Sequence, residues 1–425
     1  MANAFSKEEI VAFDQVLEGF DDALIMSKAF KKYDLDGVLA ERTGNTIWRP
    51  QPYIAQVFTN GIDQSANFGR SYTQLSVPAS INLPFSVPLT LSATELRDQL
   101  QEKRLGEAAM QGLSSKINVA CSNLAATSGT VVVKRTTAAT GFDDVSAAAV
   151  AFNRVGIGMG DRKAFYPSEH YYGMASNLGA RVLDNSKSLN AYEEAKVGKV
   201  AGFDTFMLDY GYRLTAALGT GVTITNTQPL YYTPKSTTTD ANGGQHNVDN
   251  RYQVISINVT SGTVKVGDCF TIAGVNEAHH ITKLDTGSPK TFRVTAIVTG
   301  AGGTGTVQIC PPIISATGGT DAELQYQNVT AAPTNGAAIT FLNTQAVNVS
   351  PFWHGEAFEI LPGRYKPALD SGMAIMSATT DSGITVTMAR QGKIGDLSTL
   401  YRWDAFIGLV NKQPEMSGIE LFSQS

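Results

Sequence analysis

The chain has 425 residues, with 33 Lys and Arg against 38 Asp and Glu and a formal net charge of -5. That length exceeds what one hydrophobic core serves and implies two or three domains. The acidic balance argues against general nucleic-acid binding, which needs a basic surface. Charged residues make up only 17 % of the chain, fewer than a freely soluble monomer normally carries, which fits a surface largely buried against neighbours. Cys121, Cys269 and Cys310 are far apart and odd in number. Neither a disulfide framework nor a structural zinc site is indicated, and a reducing compartment fits best. The N-terminus lacks a basic-then-apolar signal pattern, and no stretch reaches the ~18 apolar residues of a membrane span. Production and use in the cytosol are therefore expected.

In chain order, Ser6 to about Lys32 reads as a first helix. Ser6 and Glu9 have the capping-box spacing, and Ile10, Phe13, Val16, Leu17, Phe20, Leu24 and Ile25 form an apolar stripe. Acids come early and lysines late, as the helix dipole favours; the same acids form a face that suits a basic partner. From Ile81 the alternation is strict, with Leu83, Phe85, Val87, Leu89 and Leu91 on one side and Pro84, Ser86, Pro88 and Thr90 on the other. This predicts a strand with one buried face, at an edge or in a projecting loop because proline lacks the ladder amide. Ser92 to about Thr127 follows as one long amphipathic helix. Its apolar positions are Leu96, Leu100, Ala109, Leu113, Ile117, Cys121 and Leu124, and its expected length is roughly 50 Å. Gly106 and Gly112 weaken it and are candidate bending points.

Strands at Gly129–Arg135, Ala164–Tyr166 and Gly198–Leu208 alternate with helices at Asp143–Val155, Tyr171–Leu178 and Leu189–Lys196, the pattern of a small α/β domain. From about Thr220 to Thr344 the chain turns Thr-, Gly- and Val-rich, with short strands between turn residues. That is a sandwich or small barrel of its own. Ahead of its first strands lies the polar run Lys235–Arg251, an exposed loop long enough to be functional or disordered. Strand patterns then resume from Val347 to the last strand near Ile419–Phe422. The sum is an α/β body interrupted by an inserted β domain.

No catalytic constellation emerges. Val298–Val307 is glycine-rich but lacks the Gly-Lys-Ser/Thr ending of a phosphate loop. Val155–Arg162 follows a helix, the wrong topology for a dinucleotide fingerprint. His279 and His280 are adjacent, a poor arrangement for chelating one metal and best read as an exposed pair. Ser168, Glu169 and His170 are neighbours in sequence only, which says nothing of a triad. No catalytic, cofactor-binding or metal-ligating residue is assigned.

Several short stretches keep one order and spacing from end to end: NTIW at Asn45–Trp48, LRDQ at Leu96–Gln99, VAGFD at Val200–Asp204 and NVDNR at Asn247–Arg251. GD at Gly267 followed by FTIAGV, FW at Phe352–Trp353 and GDLSTL at Gly395–Leu400 continue the series. In these the chain resembles the major coat proteins of short-tailed, Salmonella-phage-type viruses, a branch of the Hong Kong 97-like tailed-phage capsid fold. Ile54–Pro84 and Asn276–Val347 depart from that pattern. The resemblance implies an α+β capsid fold divided as follows: an N-terminal arm (1–40), an extended loop with strands (41–91), a spine helix (92–128), an axial α/β domain (129–219), an inserted all-β barrel-like domain (220–345) and a returning axial and peripheral sheet (346–425).

It also implies function. Copies of the chain would form hexamers and pentamers of an icosahedral shell around a scaffolding protein. The shell would carry a portal protein, expand on packaging, and touch the packaged double-stranded DNA only through its inner surface. Assembly would occur in the host bacterial cytoplasm, without membrane or cofactor, and the product would be the virion. Lys235–Arg251 would be an intersubunit loop, with Asp240, Asn247, Asp249 and Arg251 as its contact residues; Asp249 and Arg251 could equally brace the loop inside one subunit. Asp14 and Glu18 would hold the basic end of the scaffolding protein. Two other classes stay open: a tail-tube or other virion protein, which would not need the long helix, and a glycan-binding or hydrolytic protein, which would need a pocket of convergent polar groups.

Overall fold

Apolar residues four apart, Ala109, Leu113, Ile117 and Cys121, form one fully buried stripe along a 30-residue helix, Gln99–Ser128. A computed structural model gives this and the rest of the fold. It describes residues 13, 17, 19–20, 23–33, 46–52, 54–58, 61–92, 99–179, 198–225, 230–365, 372–380 and 383–425. Asp14 and Glu18 lie outside the described residues, as do Ser6, Glu9, Glu95, Leu96 and the predicted helix Leu189–Lys196. The helices used below are α1 (Ile25–Ala29), α2 (Gln99–Ser128), α3 (Phe142–Val155), α4 (Ser168–Gly179) and α5 (Asp321–Tyr326). The chain forms two units, one of 1–47, 79–124 and 358–410, the other of 48–78, 125–357 and 411–425.

In the first unit, Asn118 on α2 donates to Ala23 O (2.8 Å) and accepts from Met26 N (3.3 Å), pinning the N-terminal segment to the long helix. Phe13, Leu17 and Phe20 are helical, as the apolar stripe predicts, but Leu24 of that stripe is not, with φ -85° and ψ 70°, and the helix resumed at Ile25 does not reach Lys32. Phe30 turns extended and stacks on Phe358 at 4.9 Å. Lys31 and Lys32 then pair in parallel with Glu359 and Ile360. A strand partner far along the chain thus overrides the last helical turn. The sheet runs Lys31–Lys32, Phe358–Pro362, Ser398–Asn411, Thr385–Lys393, Ala374–Thr379, and Leu83–Leu91 also pairs with Ser398–Asn411. Leu83–Leu91 alternates half-buried and exposed as its sequence predicts. It pairs on one side only among the described residues, so the missing amides of Pro84 and Pro88 interrupt no second ladder.

In the second unit, a six-stranded sheet runs Val131–Lys134, Ser417–Leu421, Ser350–His354, Arg162–Pro167, Phe203–Leu208, Lys199–Val200. α3 and α4 bury Val145, Phe152 and Met174 with Tyr166, Phe203 and Phe352 of the sheet. The buried Arg162 guanidinium lies 5.5 and 5.7 Å from the Phe152 and Phe203 ring centres. It donates to Gly158 O, Ile157 O and Asn153 Oδ1 and so closes the turn after α3. That turn begins at Gly156, whose φ of 92° suits glycine. Gly156 thus serves as the C-cap of α3.

The inserted segment makes an antiparallel sheet in the order Thr223–Thr225, Gln253–Asn258, Gly305–Cys310, Asp285–Ile297, Cys269–Ala278, Ile339–Phe341. Thr223 bridges to Ala338, and Ile339 N and Val222 O bond at 2.9 Å. The first and last strands therefore meet, and the sheet closes into a barrel around Ile255, Phe270, Phe292 and Ile309. Closure removes the exposed edges that an open sheet of this composition would carry. The chain enters and leaves through a two-stranded stem, Arg213–Leu214 against Val347–Asn348. The Thr/Gly-rich stretch also holds a helix its composition does not predict, α5, capped by Thr320 Oγ1 accepting from Glu323 N.

Candidate intersubunit surface

The polar run 235–251 carries too few apolar residues to anchor itself by burial, and the structure anchors it with one amide instead. Asn250 is 5 % exposed. Its Oδ1 accepts from Lys235 N (2.9 Å) and Tyr232 Oη (3.1 Å), and its Nδ2 donates to Lys235 O (2.8 Å) and Val248 O (3.0 Å). Both ends of the loop are thus tied to one side chain with its donors and acceptor satisfied, the condition under which a buried polar group stabilises rather than costs. Sequence reasoning passed over Asn250. Its only local signal was an asparagine flanked by charges at the end of a polar run.

Above that base the chain forms a hairpin, Thr237–Thr239 paired with Gln245–Asn247, with every strand residue exposed. Asp240 organises the turn. Its Oδ1 accepts from Asn242 N (2.9 Å) and Gly244 N (2.8 Å), and its Oδ2 lies 3.0 Å from His246 Nε2. The His246 contact, then the two backbone N–H groups, hold the Asp240 carboxyl below the usual carboxylate range. Asn247 closes the exposed strand opposite Thr237.

Asp249 and Arg251 sit at the base and pair with each other. Arg251 Nε is 2.9 Å from Asp249 Oδ1 and Arg251 Nη2 is 2.6 Å from Asp249 Oδ2, a forked arrangement. Arg251 Nη1 also donates to Asn411 O at 2.8 Å. The four residues singled out in the sequence therefore fall into two groups: Asp240 in the turn at the tip and Asn247 at the root of the exposed hairpin, and Asp249 with Arg251 as a half-buried brace beneath it.

The residues considered for catalysis and metal binding have structural partners. His170 Nδ1 is 2.9 Å from Ser350 Oγ in a buried pair, and Glu169 bonds Asn348. His279 and His280 lie beyond the strand end and are half-buried, not an exposed pair. His279 Nδ1 accepts from Ile281 N and Thr282 N. His280 N donates to Val155 O at the end of α3. The inserted barrel has folded this turn onto a helix more than a hundred residues away. Among the described residues no three His, Cys, Asp or Glu side chains converge as a metal site, and no helix is long and apolar enough to cross a membrane.

Comparison with known proteins adds a family. A profile described as P22 coat protein, gene protein 5, matches residues 1–423. Among solved structures, the chain is similar to the CUS-3 coat protein I-domain at 38 % identity over 31 % of this chain and 98 % of that one, with a TM-score of 0.22. It is also similar to a structure from Mycobacterium phage Che8, at 9 % identity over 93 % of this chain and 90 % of that one, TM-score 0.44. The capsid of cyanophage P-SCSP1u matches at 10 % identity over 93 % and 87 %, TM-score 0.39.

Proposed function

Because this chain belongs to the P22 coat protein family, it is a major capsid protein whose copies form a virion shell, and we propose that it assembles on a scaffolding protein into hexamers and pentamers that later expand. The family match over residues 1–423 carries the reading. An inserted, closed barrel with an exposed polar hairpin supports it. The proposed division follows the expected one: N-terminal arm 1–40, extended loop 41–91, spine helix 92–128, axial domain 129–219, insertion 220–345 and returning sheet 346–425. We propose further that the chain has no catalytic role, that assembly takes place in the host bacterial cytoplasm, that one vertex takes a portal protein, and that DNA meets only the inner surface.

In this reading the hairpin makes contacts between subunits, with Asp240 and Asn247 at the contact and Asp249 and Arg251 holding its pose. Asp14 and Glu18 receive the basic end of the scaffolding protein. Closed assembly multiplies weak interfaces, so none of them needs to be strong alone. The test is co-expression of the full chain with its scaffolding protein, followed by sedimentation and negative-stain microscopy. Closed shells are expected. Dispersed chains at every protein and salt concentration tried would overturn the reading.

A further inference from the structure

Asn242 and Gly243 form an Asn-Gly pair in the turn of the exposed hairpin. Both residues are exposed, and no atom lies within 4 Å of where a side chain on Gly243 would start. Asn242 donates its main-chain N–H to Asp240 Oδ1, while its side-chain amide has no hydrogen bond among the described residues. The Gly243 N–H is held by Asp240 O at 3.1 Å, within a two-stranded ribbon of three residue pairs. A ribbon of that size is marginal by itself, and exposed turns open locally at almost no free-energy cost.

A second Asn-Gly pair, Asn335–Gly336, is also exposed but is held differently. Gly336 N donates to Ile224 O at 2.8 Å, and Ile224 N donates to Ala337 O at 2.9 Å. These bonds close the barrel next to the Thr223–Ala338 bridge, and Ile224 is 1 % exposed. Freeing the Gly336 amide therefore means parting the barrel's closing seam and wetting its core. In the third such pair, Asn60–Gly61, the asparagine lies outside the described residues. The same two residue types thus stand in one place on a turn that opens alone and in another on a seam that opens only with the barrel.

We propose that Asn242–Gly243 is a self-modification site, where the folded chain deamidates with water as the sole co-reactant. Asparagine amides are chemically labile, and glycine in the next position leaves the approach unhindered. Once the turn opens, the Gly243 nitrogen attacks Asn242 Cγ. The new C–N bond forms, the Cγ–Nδ2 bond breaks, and the proton lost by Gly243 N leaves with the amide as ammonia. Water then opens the cyclic imide at either carbonyl. One product is aspartate; the other is isoaspartate, with the main chain routed through the former side chain. Water is consumed, ammonia is released and one carboxyl is gained. The product carries a second carboxylate two residues from Asp240 and, as isoaspartate, lengthens the turn whose amides at 242 and 244 Asp240 holds. Conversion therefore disfavours entry of the chain into shells, a consequence that rests on the intersubunit role proposed above; the modification itself does not.

The test incubates the full-length, unassembled chain in mildly alkaline buffer and follows aspartate and isoaspartate at both positions by peptide mass spectrometry. Asn242 is expected to convert at least about tenfold faster than Asn335, the ratio of a local opening to the opening of a packed seam. In a chain unfolded by urea the two rates should converge. Equal rates in the folded chain, or an Asn242 amide that survives while Asn335 converts, overturn the site; rates that stay apart in urea overturn the structural reason given for it. The partly converted chain is then assembled with scaffolding protein, and the isoaspartate at 242 is compared between shells and the chain left outside them. Depletion from the shells is expected, and equal content overturns the consequence for assembly. A fresh chain that formed no shells would count against the shell reading, while the two rates still decided the modification site.

Discussion

Glu420 lies on the interior strand Ser417–Leu421 and is fully buried. Burial first of all, with Asp144 nearby, raises its pKa from 4.5 to about 8, against opposing pulls from Tyr166 and Arg135. A carboxyl raised in the folded state stays protonated where the unfolded chain has already ionised. It therefore lowers stability progressively as pH climbs from about 4.5 to about 8, and the penalty levels off above that. Glu420→Gln, which keeps shape and polarity, should stabilise the unassembled chain, and its gain in denaturation midpoint should be larger at pH 8 than at pH 5. Equal gains at both pH values would refute this. Lys290 shows the opposite case, a buried charge with partners. Its ammonium is 3 % exposed and lies 2.7 Å from Glu415 and 3.4 Å from Glu277, and Asn328 Nδ2 donates to Glu415 at 3.1 Å. Burial alone would raise the Glu415 pKa, but Lys290, His280 and Asn328 together bring it down to about 2. Lys290→Met should cost about 3–5 kcal/mol by stranding two buried carboxylates. Adding Glu415→Gln should recover part of that loss in the same denaturation experiment; a double variant no better than the single would show that the ion pair is not the cause.

At the scale of elements, the hairpin Thr237–Asn247 and its base behave as separable parts. The tip is exposed and its turn is held by Asp240, while the base is held by Asn250 and by the Asp249–Arg251 pair bonded to Asn411 O. Neutralising Asp240, Asp249 and Arg251 together should leave the barrel folded by circular dichroism and yield aberrant particles; shells of normal size and shape would dispose of the contact role. The long helix α2 illustrates a different balance. Gly112 stands on its exposed side with open space around it, where glycine costs on the order of 1 kcal/mol relative to alanine. The buried stripe Ala109, Leu113, Ile117 and Cys121 supplies the packing that offsets this.

For the whole molecule, the low charge of 17 % accords with a chain whose surface is largely covered in a shell. The proposed role of the N-terminal arm in receiving the scaffolding protein is tested at this scale. Reversing Asp14 and Glu18 to lysine should reduce recovery of scaffolding protein with assembling particles while leaving the monomer's thermal transition in place. Undiminished scaffold content in those particles would reject the arm as its receptor.

Much of this protein was legible from periodicity and motif order. Spacing of two or of three to four residues reflects neighbours close in the chain, so α2, α3, the alternating strand Leu83–Leu91 and the strands of the insertion could be read without a structure. The ordered short motifs sufficed for the family and, through it, for the role in the shell. The helix α5, the last turn before Lys31 and the seats of His279 and His280 escaped because distant partners decided them: Phe358 for Phe30, and the end of α3 for His280. The same holds for the barrel's closure of Thr223 onto Ala338, the joining of Lys290 to Glu415, and the hydrogen bond from Ser71 N to Asp321. A contact between residues hundreds of positions apart leaves no local pattern, because it forms only where the folded chain returns upon itself and where burial gives a single hydrogen bond or ion pair its weight.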